Sequence, residues 1–410
     1  MRARKKHRFL KFFTAVITVT LIMLLALGGA SGGFLQADYL EPHNPDYYRG
    51  FSDVRMQVIA HGIISPNSHN MQAFLLSLSD EDEDSFFMYC DPAKLLKSDP
   101  LMRENLCSSG AFIRYMEVGA QRLGLELAFD LFPEGEYEDV SEQELLEKPI
   151  AKITLTEGEF APSALYSHMF EVNVNRSAYR KDAPDQRIIS QLMARKDAAG
   201  SGGETAGEGG AQLYEGITLK FFTDPADVRE IGSLAVRGKE AEFSAPEVAA
   251  EYLEITRRNE YQKNSFRTGF SAEGQGFKGF LKNALQGTMT ALPFAFNTRT
   301  LEISQLHYAK MHADNTPCYI MVITPENTRA MQVKAGHLYA DIMLHSKMYG
   351  LAVHPLSQTL SDFEKMDSLR QIMHNNYAPD GGRIQMLSRM GYPTEQYEQS
   401  ARQDIRALII

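Results

Sequence analysis

Residues 65–72 read SPNSHNMQ, and the organisation of the chain is legible outward from them. Before them, Phe51–Ile64 carries apolar and polar residues at helical spacing, with Ser52 and Asp53 as cap candidates and Gly62 at its end. After them, Ala73–Leu78 and Ser85–Tyr89 read as two strands across an acidic turn, Asp80–Asp84. Taken alone, a Ser-Pro-Asn run between helix and strand is a helix C-cap and an Asx turn. This one also presents Ser68, His69, Asn70 and Gln72, of which the three short polar side chains suit hydrogen bonds to a ligand.

Further along, Asp99–Leu123 reads as a helix running into Gly124, and Leu125–Leu131 and Ile150–Leu155 as strands. The first half is therefore α-β-β-α-β-β. The second half opens near Ala161. Residues 199–210, AGSGGETAGEGG, form a flexible loop by composition. Asp224–Lys239 reads as a helix with Asp224 as N-cap and Pro225 at its first position, and Ala245–Thr256 is also helical. Residues 265–300 are rich in Gly, Phe and Asn without clear period, which predicts a lid or a long excursion. Tyr319–Thr324 is a buried strand, Asn327–Gly350 a long helix, Leu351–Pro355 a strand end, Asp362–His374 a helix, and Leu387–Tyr392 adjoins a final strand. The class is α+β, divided into 1–37, a first half 38–160 and a second half 161–410.

The formal net charge is -10, and the first eleven residues hold six Lys or Arg without Asp or Glu, so the body is more acidic still. An acidic body excludes nucleic acid as a partner, because phosphate backbones need a basic face. Three cysteines, Cys90, Cys107 and Cys318, make neither a disulfide framework nor a zinc motif; a single disulfide stays open. His69, His337, His345 and His354 show no metal spacing, and Met343–Met348 reads as core. The acidic turn lacks the glycine and terminal Glu of a calcium loop.

Residues 2–11 are basic, Phe12–Ala37 carries no charge, and Phe12–Leu27 is almost wholly apolar. With Gly28–Gly33 the stretch is long enough to cross a bilayer. Its basic flank predicts a cytoplasmic N-terminus and a body outside the cytoplasm. An uncleaved single-pass anchor is expected. The alternative is a signal peptide cleaved after Ala30, which would release a secreted body.

Four stretches in order resemble one family. SPNSHNMQ (65–72) resembles the P-S-x-x-N-x-Q-P-W segment of nitroreductases, in the form found in their Acg-like relatives. DPLMREN…SSGAFIRYMEVGAQRLG (99–124) is similar to the D-P-x-x-R-E…C-G-A-A…L-G pattern of that branch. NRSAY (175–179) with Arg180 resembles T-N-R-x-P-F. The block from Ala335, AGHLYADIMLHSKMYGLAVHPLSQ, followed by GGRIQMLSRMGYP, resembles the closing helix, G-L-x-x-x-P and P-Q-x-L-x-R-x-G-Y. The departures are Ala73-Phe74 where the family has Pro-Trp, and Val172 or Asn173 and Val174 where it has an arginine and a hydroxyl.

The resemblance implies a nitroreductase-like fold, internally duplicated into a monomeric pseudo-dimer, and one FMN per chain. It implies that Arg176, assisted by Arg180, sits by the flavin N1/O2 edge, and that Arg383 and Arg389 hold the phosphate. Ser68, His69, Asn70 and Gln72 would meet the ribityl chain and ring edge. Backbone amides of Pro355-Leu356-Ser357-Gln358 would lie at N5, so no catalytic side chain is named. The implied activity is reduction of a small nitroaromatic or quinone-type molecule, with a membrane electron donor because nicotinamides are cytoplasmic. The alternatives are a flavin-binding or flavin-sequestering protein without turnover, and a degenerate module that binds no flavin.

Overall fold

The computed structural model describes residues 2–79, 82–158, 163–198 and 213–410, with the backbone alone for 2–10 and 198. The Gly-rich stretch 199–210 and part of the Asp80–Asp84 turn lie outside the described residues.

Strands β1 (Phe74–Leu78), β2 (Ser85–Cys90), β3 (Leu125–Leu131) and β4 (Ala151–Glu157) form one antiparallel sheet in the order β1-β2-β4-β3. Strands β5 (Thr218–Phe222), β6 (Cys318–Thr324), β7 (Ala352–Pro355) and β8 (Arg383–Gly391) form a second in the order β5-β6-β8-β7. The helices in chain order are α1 (Arg2–Ser31), α2 (Val54–Gly62), α3 (Arg103–Arg122), α4 (Glu142–Glu147), α5 (Leu165–His168), α6 (Gln186–Ala198) and α7 (Pro225–Ser244). They continue with α8 (Pro246–Glu254), α9 (Glu260–Phe266), α10 (Gly279–Ala291), α11 (Thr298–Asp314), α12 (Arg329–Met348) and α13 (Asp367–Tyr377). The two sheets share one strand order, and each has a 20-residue helix between its second and third strands, α3 in one and α12 in the other.

Those two helices cross where each has a glycine. A Cβ at Gly110 would fall on the Val333 carbonyl oxygen and lie 2.6 Å from the His337 amide nitrogen; one at Gly336 would fall on the Cys107 carbonyl. Backbone thus meets backbone, and side chains pass across. Val333, Ala340 and Leu344 of α12 complete the core over the first sheet, while Cys107 of α3 packs in the core of the second. All three cysteines are buried and free.

Most elements follow the local sequence. Asp53 caps α2, accepting from the Arg55 amide at 2.8 Å, and Asp224 caps α7. The helix expected from Asp99 starts at Arg103, because Met102 is in the left-handed region (φ 62°) and Asp99 Oδ2 instead accepts from the Asn105 amide at 2.9 Å. The helix expected from Asp362 starts at Asp367; Asp362 pairs with Arg383 (2.6 Å) and Arg370 (3.3 Å). Residues 265–300 are not irregular throughout, since α10 and the start of α11 occupy much of them.

The C-terminal segment returns to the first half. Ile405 and Leu408 enter its core, and Ile409 bridges to Leu76 on the edge strand β1. At the other end, α1 includes Lys11–Ser31, long and apolar enough to cross a membrane (mean hydropathy 2.3); its apolar window is unburied, while its last turns meet α10.

Burial has a pH consequence. Desolvation depresses His43 to about 3, and His61 and His69 to about 4. Their folded pKa values lie below the unfolded value near 6.5, so the unfolded chain takes up more protons in that window. Stability is expected to be complete above pH 6.5 and to fall as pH drops towards 4. His61 accepts or donates only to the Gln57 carbonyl and the Tyr166 hydroxyl. Thermal melts of His61→Gln across this range should show a shallower slope, by one proton; an unchanged slope would remove His61 from the account.

Candidate functional site

The 65–72 loop is pinned to the first turns of α3. The Ser68 amide donates to Ser108 Oγ (2.8 Å) and Ser68 Oγ to Glu104 Oε2 (3.1 Å). Asn67 Oδ1 accepts from the Gln72 amide at 2.9 Å; the bond reaches five residues on, so it closes the whole loop where an Asx turn would close only two residues. His69, Asn70 and Gln72 all have positive φ (48°, 57° and 54°), an unusual cluster for residues with side chains.

This loop forms one wall of a cleft enclosing about 1140 Å³ outside atoms, part of it open to solvent. Residues of both halves line it. Ser68 and His69 come from the loop and Glu104 and Ser108 from α3; Arg176, Lys239 and Glu242 of α7, and Tyr252 of α8 face them; His354 to Gln358 close the far side. Six of the eleven residues singled out from sequence meet here: Ser68, His69, Arg176, Pro355, Ser357 and Gln358.

The other five are elsewhere. Asn70 lines an adjoining chamber of about 640 Å³ that shares Arg176 and Phe270 with the cleft; its amide donates to the Gly269 and Ala401 carbonyls (3.3 and 2.9 Å) and its Oδ1 accepts from Arg402. Gln72 is buried, with Nε2 on the Arg267 carbonyl (2.8 Å) and Oε1 accepting from the Gln403 amide (2.8 Å). The two amide side chains clasp neighbouring segments. Arg180 is exposed and lies over the Tyr392 ring at 4.4 Å. Arg383 donates to Asp362 and the Leu360 carbonyl. Arg389 is fully buried: Nε donates to His354 Nδ1 (2.9 Å), Nη2 to the Ser177 carbonyl (2.7 Å), and its guanidinium lies 3.9 Å over Tyr179. Nη1 alone has no partner. Arg389 therefore fixes the 175–179 segment and the ring of His354 and stands behind the cleft wall. Arg383 and Arg389, expected to hold the phosphate, are not among the residues lining the cleft.

The electrostatics centre on Arg176. Burial, with Arg389 nearby, pulls its pKa below the ordinary arginine value. Among the described residues no carboxylate lies within ion-pair distance of it. Lys239, by contrast, pairs with Glu242, whose carboxyl burial pushes up, and both hydrogen-bond the Tyr252 hydroxyl (3.1 and 3.2 Å). His69 packs against both Tyr252 and Phe270 (ring centroids 5.0 and 5.2 Å away), which stack on each other. Its Nε2 meets the Tyr252 hydroxyl at 3.2 Å and its Nδ1 is buried without a partner. His312 and His354, ring centroids 4.8 Å apart, are both held neutral by burial beside Arg389. At the far side the Leu356 amide donates to the Leu387 carbonyl (2.8 Å) and Gln358 Nε2 to the Ala235 carbonyl (3.1 Å). The backbone amides of Ser357 and Gln358 make no hydrogen bond among the described residues.

Sequence reading missed Glu104, Lys239, Glu242, Tyr252 and Phe270. The signal for Glu242 was its place three residues after Lys239, one helical turn on, had α7 been carried past Lys239.

No family model and no curated protein matches the chain. Among solved structures it is similar to a nitroreductase-like family protein from Bacillus cereus, at 12% identity over 61% of this chain and 96% of that one, with a TM-score of 0.30. It is similar to oxidised iodotyrosine deiodinase bound to FMN and 3-iodo-L-tyrosine (14% identity, 58% and 95% covered, TM-score 0.32). A putative nitroreductase from Anabaena variabilis covers more of the chain, at 10% identity over 75% of this chain and 69% of that one, with a TM-score of 0.40. Similarity at this level assigns the chain neither a ligand nor a reaction.

Proposed function

We propose that the chain is a membrane-tethered flavin-binding protein, an internally duplicated nitroreductase-like unit of Acg-like type. In this reading it takes one FMN and passes electrons to a small nitroaromatic or quinone-type molecule. Arg176 carries the proposal: it is a half-buried cation lining a cleft between the two halves, with no carboxylate within ion-pair distance among the described residues. A cation partly withdrawn from water and left without a counter-ion favours an anionic ligand. The N1/O2 edge of a reduced flavin is such a group.

The residues present fit the ring of FMN better than its phosphate. Tyr252 and Phe270 offer flat apolar surface, His69 Nδ1 is a buried polar atom in want of a partner, and the Ser357 and Gln358 amides are donors on the opposite wall. Bound FMN supplies the electron transfer; the chain's residues bind and orient the ring and shield it from water. Matching strand order in the two sheets supports the duplication. Helix α1, with its basic flank, supports an anchor whose body lies outside the cytoplasm, and that location favours a membrane electron donor.

A specific observation favours a second reading. Glu104 and Glu242 bring carboxylates to the cleft, and the phosphate arginines are engaged elsewhere. A flavin held without turnover, or a different small anion with no flavin at all, is compatible with that balance. The test is spectroscopic. The full chain in mild detergent, incubated with FMN and desalted, is expected to keep flavin absorbance bands, and titration should quench flavin fluorescence. A colourless protein that leaves FMN fluorescence unchanged would sink the flavin reading. Retained flavin that dithionite bleaches, but that no nitroaromatic or quinone reoxidises faster than buffer, would favour holding without turnover.

A further inference from the structure

Helix α10 and the turn after it expose an unusual amount of apolar surface. Phe280 is 65% exposed, Leu281 67%, Leu292 45% and Phe294 78%. The run Asn283–Asn297 (NALQGTMTALPFAFN) carries no charge. Large apolar side chains exposed at both ends of one short helix mark a surface that meets something other than water.

Its neighbour is α1. A Cβ at Gly287 would fall on the Leu27 carbonyl, and one at Gly33 would lie 2.7 Å from the Asn283 side chain. As α10 advances from 283 to 287, α1 recedes from 33 to 27, so the two run antiparallel. At a rise of ~1.5 Å per residue, Leu292 lies level with about Ile22, inside the apolar span Lys11–Ser31. Phe280 and Lys278 lie at the opposite end, beyond Ser31.

The turn closes part of its backbone on itself. The carbonyls of Leu292 and Pro293 accept from the Ala295 and Phe296 amides (3.0 and 3.3 Å), that of Phe294 from Asn297 Nδ2 (3.2 Å), and that of Ala295 from Thr300 Oγ1 (3.1 Å). The Leu292 amide donates to the Thr288 carbonyl (2.9 Å), and Pro293 has no amide hydrogen.

We propose that residues 279–296 are a second membrane-seated element, lying in the leaflet that holds the outer end of α1. Leu292 and Phe294 are among the acyl chains and Phe280 is at the headgroup boundary. The occupant of the patch is the lipid bilayer. This rests on the reading of α1 as a bilayer-crossing helix.

The chain contains no tryptophan, so single introduced tryptophans are clean probes. The full chain is reconstituted into phosphatidylcholine vesicles brominated at shallow or deep acyl positions. Phe294→Trp, Phe280→Trp, Val19→Trp and Leu146→Trp are compared; all four positions are exposed, so folding tolerates the change. Val19→Trp and Phe294→Trp are expected to be quenched at least twofold, Phe280→Trp only by shallow bromines, and Leu146→Trp, on α4, not at all. Quenching at 19 with none at 294 would leave the anchor standing and overturn the seat, and a stable dimer in that case would assign the patch to a second copy. No quenching at either position would overturn both readings. Deeper quenching at 280 than at 294 would overturn the antiparallel insertion.

Discussion

Arg176→Ala is expected to lower affinity for the cleft's anionic ligand, FMN in the present reading, by about 10- to 150-fold. The range is that of one charged hydrogen bond, ~1.5–3 kcal/mol, at 1.4 kcal/mol per decade. Nothing nearby replaces the lost cation, because Lys239 is committed to Glu242 and Arg389 to backbone carbonyls. Arg176→Lys keeps the charge but loses the planar fork, so an intermediate loss is expected. Arg180→Ala, exposed and stacked on Tyr392, should change affinity little. Fluorescence titration with FMN measures all three. An Arg176→Ala protein binding within twofold of the native chain would remove Arg176 from the site.

Gly336→Ala is expected to be the most damaging methyl addition outside the cleft, with Gly110→Ala close behind. Each methyl group would be driven into main chain of the partner helix, and main chain cannot rotate away as a side chain can. Overpacking commonly costs 1–3 kcal/mol, and the absence of a soft neighbour puts these two at ~3 kcal/mol or more. Both variants should express poorly or melt far below the native chain. Gly50→Ala, where nothing lies within 4 Å, is the control and should melt with the native chain. Native-like melting of Gly336→Ala would mean that the helices separate at little cost.

Much of this arrangement is legible in the residues. Asp53, Asp224 and Gly62 announce helix ends because capping is local chemistry, and YIMVIT (319–324) announces a strand buried on both faces. Other elements gave weaker signals. Helix α11 has little amphipathic pattern, although its Asn297/Thr300 capping box is readable. Strand β5 is five residues long and half-buried. The candidate site divides along the same line. Of SPNSHNMQ, Ser68 and His69 line the cleft. Beyond it, Asn70 and Gln72 turn towards residues 401–403, partners some 330 positions away that no local rule foresees. Arg383 and Arg389 fail for the same reason: an arginine's partners are tertiary, and theirs are Asp362 in one case and the 175–177 backbone in the other. The interior glycines of α3 and α12 were visible as breaks in helix propensity, but what they approach was not.

The grip of residues 401–403 on Asn70 and Gln72 also fixes a timetable. A nascent chain emerges N-terminus first, so the three left-handed residues after Ser68 are synthesised long before Arg402 and Gln403 arrive to hold them. Maturation of the loop is thereby deferred until residues 401–403 have been synthesised, and a ligand met earlier would find its berth unformed.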